Sequence, residues 1–232
     1  MMLLCRPLTV SDWCLADLAE EKAKRLVSAG IKFAEFGSRR RRSYETHKVV
    51  IQGLLKGEFE ALAQHASSKT ADGPNGASTS RLNKPAGKLL GTSNVHFAQL
   101  FDLPPSGTVA HEWTMAIAAL EGYDGVNLTS LRKWDEVYAP PAFTPSSPAE
   151  DLTIALTDTF STEVFWRDVF SEVQGEGEKG KGKGKGKEIL GRWRGLRQDS
   201  GDSKAFARRA KENYEKLGVD PKSKVIIFSD GE

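Results

Sequence analysis

The feature that most limits how this chain can fold is a repeated order: a short apolar run, a polar exit, then a segment with helical spacing. Five runs of strand length stand at residues 31–36, 107–110, 152–156, 193–196 and 225–228. Each leads into residues able to do chemistry. Gly37 and a basic turn follow the first, His111-Glu112 the second and Asp158-Thr159 the third. Arg197, Asp199 and Asp202 follow the fourth, and Ser229-Asp230-Gly231 the fifth. Parallel sheets need such crossovers, and they gather polar exits at the C-terminal strand ends. A closed barrel of this class is built from eight strands. About five parallel strands therefore read as an α/β fold, with fewer strands than a closed (β/α) barrel needs.

Helical spacing marks residues 10–30, 45–64, 95–101, 111–120, 128–138, 162–173 and 204–217. In the first, Trp13, Leu15, Leu18, Ala19, Ala23, Leu26 and Val27 share a face, and Gly30 closes the helix. In the second, Val49, Val50, Leu54, Leu55, Phe59 and Leu62 form one face. The stretch 91–112, GTSNVHFAQLFDLPPSGTVAHE, organises the centre. Its first four residues read as a loop feeding a helix, with Thr92 or Ser93 as the cap and Pro104-Pro105 at its close. Its end places His111 at a strand-to-helix junction, where a side chain can face a pocket instead of a core.

Two segments carry almost nothing apolar. Residues 66–88 are rich in Ser, Gly, Pro and Asn, and residues 174–188 hold a Lys-Gly alternation. Neither can offset its own ordering entropy, so both read as disordered inserts in one α/β domain spanning residues 1–232. The net charge of +2 gives no argument for nucleic acid or an anionic membrane. The arginines at 39–42 and the Lys-Gly tract lack interleaved aromatic residues for base stacking. No apolar run approaches the ~20 residues that span a bilayer, and the start is a poor signal peptide. Cys5 and Cys14 have no second pair and no metal-ligand spacing, so they read as free thiols of a reducing compartment, the cytoplasm or nucleus.

Four motifs in order carry a family resemblance: EFGSRRRRS at 35–43, GTVAHEW at 107–113, LTDTF at 156–160 and RQDSGD at 197–202. Together they resemble nicotinate phosphoribosyltransferase, over matched blocks from about residue 29 to Gly231. The resemblance implies that this domain is an incomplete (β/α) barrel of the type II phosphoribosyltransferase kind, and that the full-length enzyme is a homodimer. It implies the first step of NAD salvage from nicotinate. Nicotinate, phosphoribosyl pyrophosphate and ATP become nicotinate mononucleotide, pyrophosphate, ADP and phosphate, with Mg²⁺ carried by the substrate.

By the same resemblance His111 matches the phosphorylated histidine, since a neutral imidazole nitrogen can attack the terminal phosphate of ATP. The sequence leaves open whether Glu112 or another carboxylate orients the ring. Thr108 matches a nicotinate contact. Arg39 matches the arginine of the basic turn and is placed with nicotinate, while Arg41 and Arg42 are left outside the site. Arg197 matches a phosphoribosyl pyrophosphate contact, a role that suits the forked guanidinium. Asp199 and Asp202 on its exit loop, and Asp158 with Thr159 on the neighbouring one, are placed with the same substrate. Taken alone, DSGD also reads as a turn followed by a helix cap. The family's upstream aromatic contact and downstream ribose-phosphate loop have no counterpart in these residues. The chain is thus expected to be a fragment of the family fold, and to show little or no activity in isolation. An inactive paralogue that binds the full-length enzyme or its substrates is the other expectation.

Overall fold

The computed structural model describes residues 12–71, 86–138, 152–174 and 184–229. The chain divides between Ser106 and Gly107 into two compact units.

In the first unit, α1 (Asp12–Ser28) lies against α2 (Tyr44–Ala71), and a parallel pair of strands, β1 (Lys32–Glu35) and β2 (Lys88–Thr92), completes the core. The buried face of α1 is as expected at Leu15, Ala19, Ala23, Leu26 and Val27, but Leu18 is exposed. On α2, Val50 and Leu54 are buried as expected and Leu55 packs against the same core, but Phe59 and Leu62 are exposed, and Gly53 and Gly57 complete the seam with α1. A Cβ on Gly53 would stand 2.4 Å from the Ala16 carbonyl oxygen, and one on Gly57 would stand 2.2 Å from that of Glu20. The two backbones meet because nothing but hydrogen separates them, as in other small-residue helix crossings. Lys24 and Lys56 bridge Glu20 and Glu60 along the rim of this seam, at 2.5–2.9 Å for the close pairs. Being near the surface, these pairs contribute little each.

β2 was not among the expected strands, because Gly91 and Thr92 read as loop. Its alternating burial and its parallel register, Phe33 on Leu89 and Glu35 on Thr92, make it one. The helix that follows, α3 (Val95–Leu100), is capped by Asn94, whose side chain accepts the Phe97 N–H at 3.1 Å. Thr92 and Ser93 are therefore not the cap. Nor do the prolines end it: the chain turns at Asp102 (φ 52°), and Pro104-Pro105 extends alongside Thr92 in an isolated parallel bridge.

The second unit begins with α4 (His111–Glu121) and α5 (Val126–Tyr138). A three-stranded parallel sheet follows in the order β3 (Ile154–Leu156), β4 (Gly195–Gln198), β5 (Val225–Phe228). Helices α6 (Thr162–Gln174) and α7 (Lys185–Arg192) lie between β3 and β4, and α8 (Ser203–Lys216) between β4 and β5. Phe165, Trp166, Leu190, Trp193, Leu196 and Tyr214 form the centre of the core. Burying a side chain of this kind stabilises by about 2–3 kcal/mol.

Five parallel strands stand among the described residues, the expected number, but with β2 in place of residues 107–110. That stretch is extended where it meets α4, at Ala110, yet it pairs with no described strand. Strand propensity at Thr108 and Val109 sets the backbone without supplying a ladder partner. The fourth strand starts two residues later than expected, at Gly195. The two segments read as inserts overlap described elements at their ends. α2 continues to Ala71, β2 begins at Lys88, and α7 begins at Lys185 inside the Lys-Gly tract, with Gly186 buried against α6. Residues 72–85 and 175–183 lie outside the described residues, as do Pro140-Pro141. No described helix is long and apolar enough to cross a membrane.

Candidate active site

In register, Leu156 of β3 pairs with Arg197 of β4, and Gln198 of β4 with Phe228 of β5. The three strands therefore end level, and their exits Asp158-Thr159, Asp199 and Ser229 come out on one edge of the sheet. Parallel strands place ligand-binding loops in this way. His111, the first residue of α4, meets two of these exits. Its Nδ1 is 3.1 Å from Thr159 Oγ1 and its Nε2 is 3.3 Å from Asp199 Oδ2. The ring is only partly buried, so a ligand can reach it.

Arg197 holds the cluster together. Its Nε donates to Ser229 Oγ at 2.8 Å, Nη1 to Thr108 Oγ1 at 2.9 Å and Nη2 to Asp199 Oδ1 at 2.7 Å. The Ser229 hydroxyl in turn donates to Asp199 Oδ1. Asp158 Oδ2 accepts the Asp199 N–H at 3.0 Å and the Ser200 hydroxyl at 2.6 Å. Four of the residues expected in the site from the second unit, Thr108, His111, Arg197 and Asp199, thus form one connected network, with Asp158 joined through the Asp199 backbone. Asp202 does not join it: its Oδ1 accepts the Ala205 N–H at 2.6 Å as the N-cap of α8. Arg39 belongs to the first unit, on a 3-10 turn (Gly37–Arg40), where it is exposed. Arg41 folds back to donate to the Ser38 carbonyl at 2.7 Å.

The carboxylate that orients the imidazole is Asp199. Glu112, next to His111 in sequence, is exposed on α4. Ser229 was legible only as the polar exit of the last strand. Nothing in one sequence says that its hydroxyl joins an arginine and an aspartate 30 or more residues away.

Burial on its own would raise the Asp199 carboxyl above its ordinary 3.8. The Ser229 hydroxyl, the Arg197 guanidinium and His111 outweigh it and hold the group down to about 2. Asp199 is therefore ionised at neutral pH, and for a hydrogen bond to form at that position, Nε2 of His111 carries the proton. In the neutral ring the lone pair then lies on Nδ1, toward the Thr159 hydroxyl. A carboxyl lowered in the folded state adds stability above its unfolded value and loses it as pH falls through the folded one. For Asp199 the contribution is on the order of 1 kcal/mol at neutral pH, because water screens a partly exposed carboxylate. Asp199→Asn is expected to lower the urea midpoint at pH 7. The two proteins should converge as the pH falls from about 5 toward about 2.

A sequence model described as the nicotinate phosphoribosyltransferase (NAPRTase) family matches residues 31–231. A Methanosarcina acetivorans protein named nicotinate phosphoribosyltransferase is 36% identical over 210 residues, 90% of this chain and 38% of its own length. One of the same name from Saccharomyces cerevisiae is 31% identical over 217 residues, 91% of this chain and 39% of its own. The crystal structure of nicotinate phosphoribosyltransferase from Porphyromonas gingivalis superposes with a TM-score of 0.65 and 30% identity, covering 96% of this chain and 44% of that one. The chain spans about two fifths of the length of the curated relatives it matches.

Proposed function

Because this chain belongs to the nicotinate phosphoribosyltransferase family, we propose that its strand-end cluster serves the ATP-coupled transfer of phosphoribose to nicotinate in NAD salvage. The observation that carries the reading is His111 held between Asp199 and Thr159 at the start of a helix. With Nε2–H committed to Asp199, Nδ1 is the nucleophile toward the terminal phosphorus of ATP. The N–P bond forms as the bond to the ADP oxygen breaks, and Asp199 stabilises the positive ring that results. The Thr159 hydroxyl leaves Nδ1 as the phosphoryl group arrives. That group then lies at the N-terminus of α4, where backbone N–H groups favour an anion. Hydrolysis of phosphohistidine later returns the free imidazole and phosphate.

In the transfer itself the pyridine nitrogen displaces pyrophosphate at C1 of the ribose. Arg197 and Asp199 are assigned to phosphoribosyl pyrophosphate, with Asp158 and Asp202, and Thr108 to the carboxylate of nicotinate; Arg39, on the first unit, is assigned to nicotinate by the resemblance alone. Arg197 reaches Thr108 directly, so an anion on the one lies beside the hydroxyl assigned to the other. Asp158 keeps Oδ1 buried without a hydrogen-bond partner, a hard oxygen of the kind Mg²⁺ accepts. When bound on the substrate, Mg²⁺ would offset charge on the departing pyrophosphate.

The test is nicotinate mononucleotide formation by the purified chain from nicotinate, phosphoribosyl pyrophosphate and Mg²⁺, with and without ATP. Product whose ATP stimulation disappears in His111→Ala is the expected outcome. A folded chain that makes no product would refute turnover by this chain. The second reading, a substrate-binding or enzyme-binding relative without turnover, would then stand. Calorimetry with phosphoribosyl pyrophosphate separates the two.

A further inference from the structure

The first unit buries a carboxylate that the chemistry above does not use. Glu35, the last residue of β1, is 4% exposed. Its Oε2 accepts the Thr92 hydroxyl at 2.5 Å and lies 3.0 Å from His47 Nε2, while its Oε1 accepts the Gly37 N–H. Thr92 and His47 are themselves buried, at 0% and 3%. The Thr92 oxygen also accepts the Asn94 N–H at 3.1 Å, and the His47 ring meets the edge of Phe97 at 4.8 Å. One carboxylate thus ties together β1, the head of α2, the end of β2 and the start of α3.

The Gly37 N–H is the first of the 3-10 turn Gly37–Arg40, and Phe36, the residue at the cap position, supplies no side-chain cap. Glu35 takes over that task from two residues back, and puts a negative charge where a helix N-terminus favours one. The glycine suits the same contact. A Cβ on Gly37 would stand 2.6 Å from Glu35 Oε1. The E-x-G spacing of the motif is therefore a cap written in sequence, and what it caps is the turn that carries Arg39 and Arg40, both exposed. Burial would raise the Glu35 carboxyl, but the contacts from His47, Thr92 and Gly37 outweigh it, and the group stays below its ordinary value.

We propose that Glu35 is a positioning residue. Held by Thr92 and His47, it fixes the Gly37–Arg40 turn so that its arginines are preorganised for a carboxylate or phosphate of the substrate. This rests on the nicotinate phosphoribosyltransferase reading for the identity of that anion. Preorganisation lowers the cost of binding without adding a contact, so disturbing Glu35 weakens anion binding and leaves the strand-end cluster intact.

The experiment uses the whole chain and two readouts. In amide exchange, Gly37 is expected to be protected in the parent and at least about tenfold faster in Glu35→Gln and Thr92→Val, the scale of one lost hydrogen bond to a charged group. Amides in the middle of α1 and α2 should not change. In calorimetry, the same two variants should bind nicotinate about tenfold more weakly, and Thr92→Ser, which keeps the hydroxyl, should restore binding to within about twofold. Unchanged Gly37 exchange in Glu35→Gln overturns the proposal. So does unchanged nicotinate affinity in that variant, or equal losses in Thr92→Ser and Thr92→Val. A parent chain that binds no nicotinate counts against the nicotinate phosphoribosyltransferase reading, and the exchange rates still decide whether Glu35 holds the turn.

Discussion

Arg197→Met is expected to cost about 3 kcal/mol of stability at neutral pH and to weaken phosphoribosyl pyrophosphate binding by about 100-fold or more. The reason is the number of groups that one guanidinium satisfies. Its nitrogens reach Ser229, Thr108 and Asp199 from three directions. Methionine keeps the apolar stem but leaves a partly buried carboxylate without its cation, and removing one partner of such a pair costs more than the pair contributes. Arg197→Lys should recover little, because a single ammonium cannot occupy three directions of a planar fork. Urea unfolding gives the stability difference and calorimetry the affinity. The stability loss should shrink in acid, where Asp199 is protonated and no longer needs the cation. A loss below about 0.5 kcal/mol, the range of an ordinary surface change, would contradict this account of the cluster.

Gly57→Leu is expected to destabilise the first unit by about 3 kcal/mol, and Gly57→Ala by a smaller but definite amount. Both replacements improve helix propensity, by up to about 1 kcal/mol, so propensity alone predicts the opposite sign. The site has no room for either. A Cβ would sit 2.2 Å from the Glu20 carbonyl oxygen and 2.9 Å from the Ala23 Cβ. Backbone cannot step aside as a flexible side chain can, so the two helices must separate along the seam. Gln52→Ala, at an exposed position of the same helix, is the control and should stay within about 0.5 kcal/mol. Thermal or urea unfolding of the three variants decides the matter. Greater stability in Gly57→Ala would mean that the helices do not cross this closely.

The same seam shows where the sequence was silent. Phe59 and Leu62 fit the helical period on α2, so they read as core, yet both are exposed. Periodicity ranks faces by how apolar they are, whereas helix crossing distance is set by how small the facing residues are, and Gly53 and Gly57 carry no apolar signal. β2 was missed for a related reason: Gly91-Thr92 carries turn chemistry, and only a parallel neighbour supplied by β1 makes it a strand. Residues 107–110 are the reverse case, with strand propensity and no described partner. Motifs fared better than elements. His111, Arg197, Asp199 and Asp158 were legible because each stands at a polar exit, and Thr108 only through the resemblance of its motif; strands β3 to β5, ending in register, bring the exits at Asp158, Asp199 and Ser229 together. What a single chain could not tell was who bonds to whom. Asp199 was placed with a substrate, yet it is also the carboxylate on His111. Asp202 was placed beside it, and as the turn-and-cap reading of DSGD allowed, it caps α8.

The central claim is that His111 is a nucleophile whose free nitrogen is Nδ1. It is tested most directly by incubating the purified chain with Mg²⁺ and ATP labelled in the terminal phosphate, then mapping the label on peptides handled in alkali. The account predicts an acid-labile label on His111, bonded through Nδ1, and none in His111→Ala. Label retained in His111→Ala, label bonded through Nε2, or no label on a folded chain would contradict it.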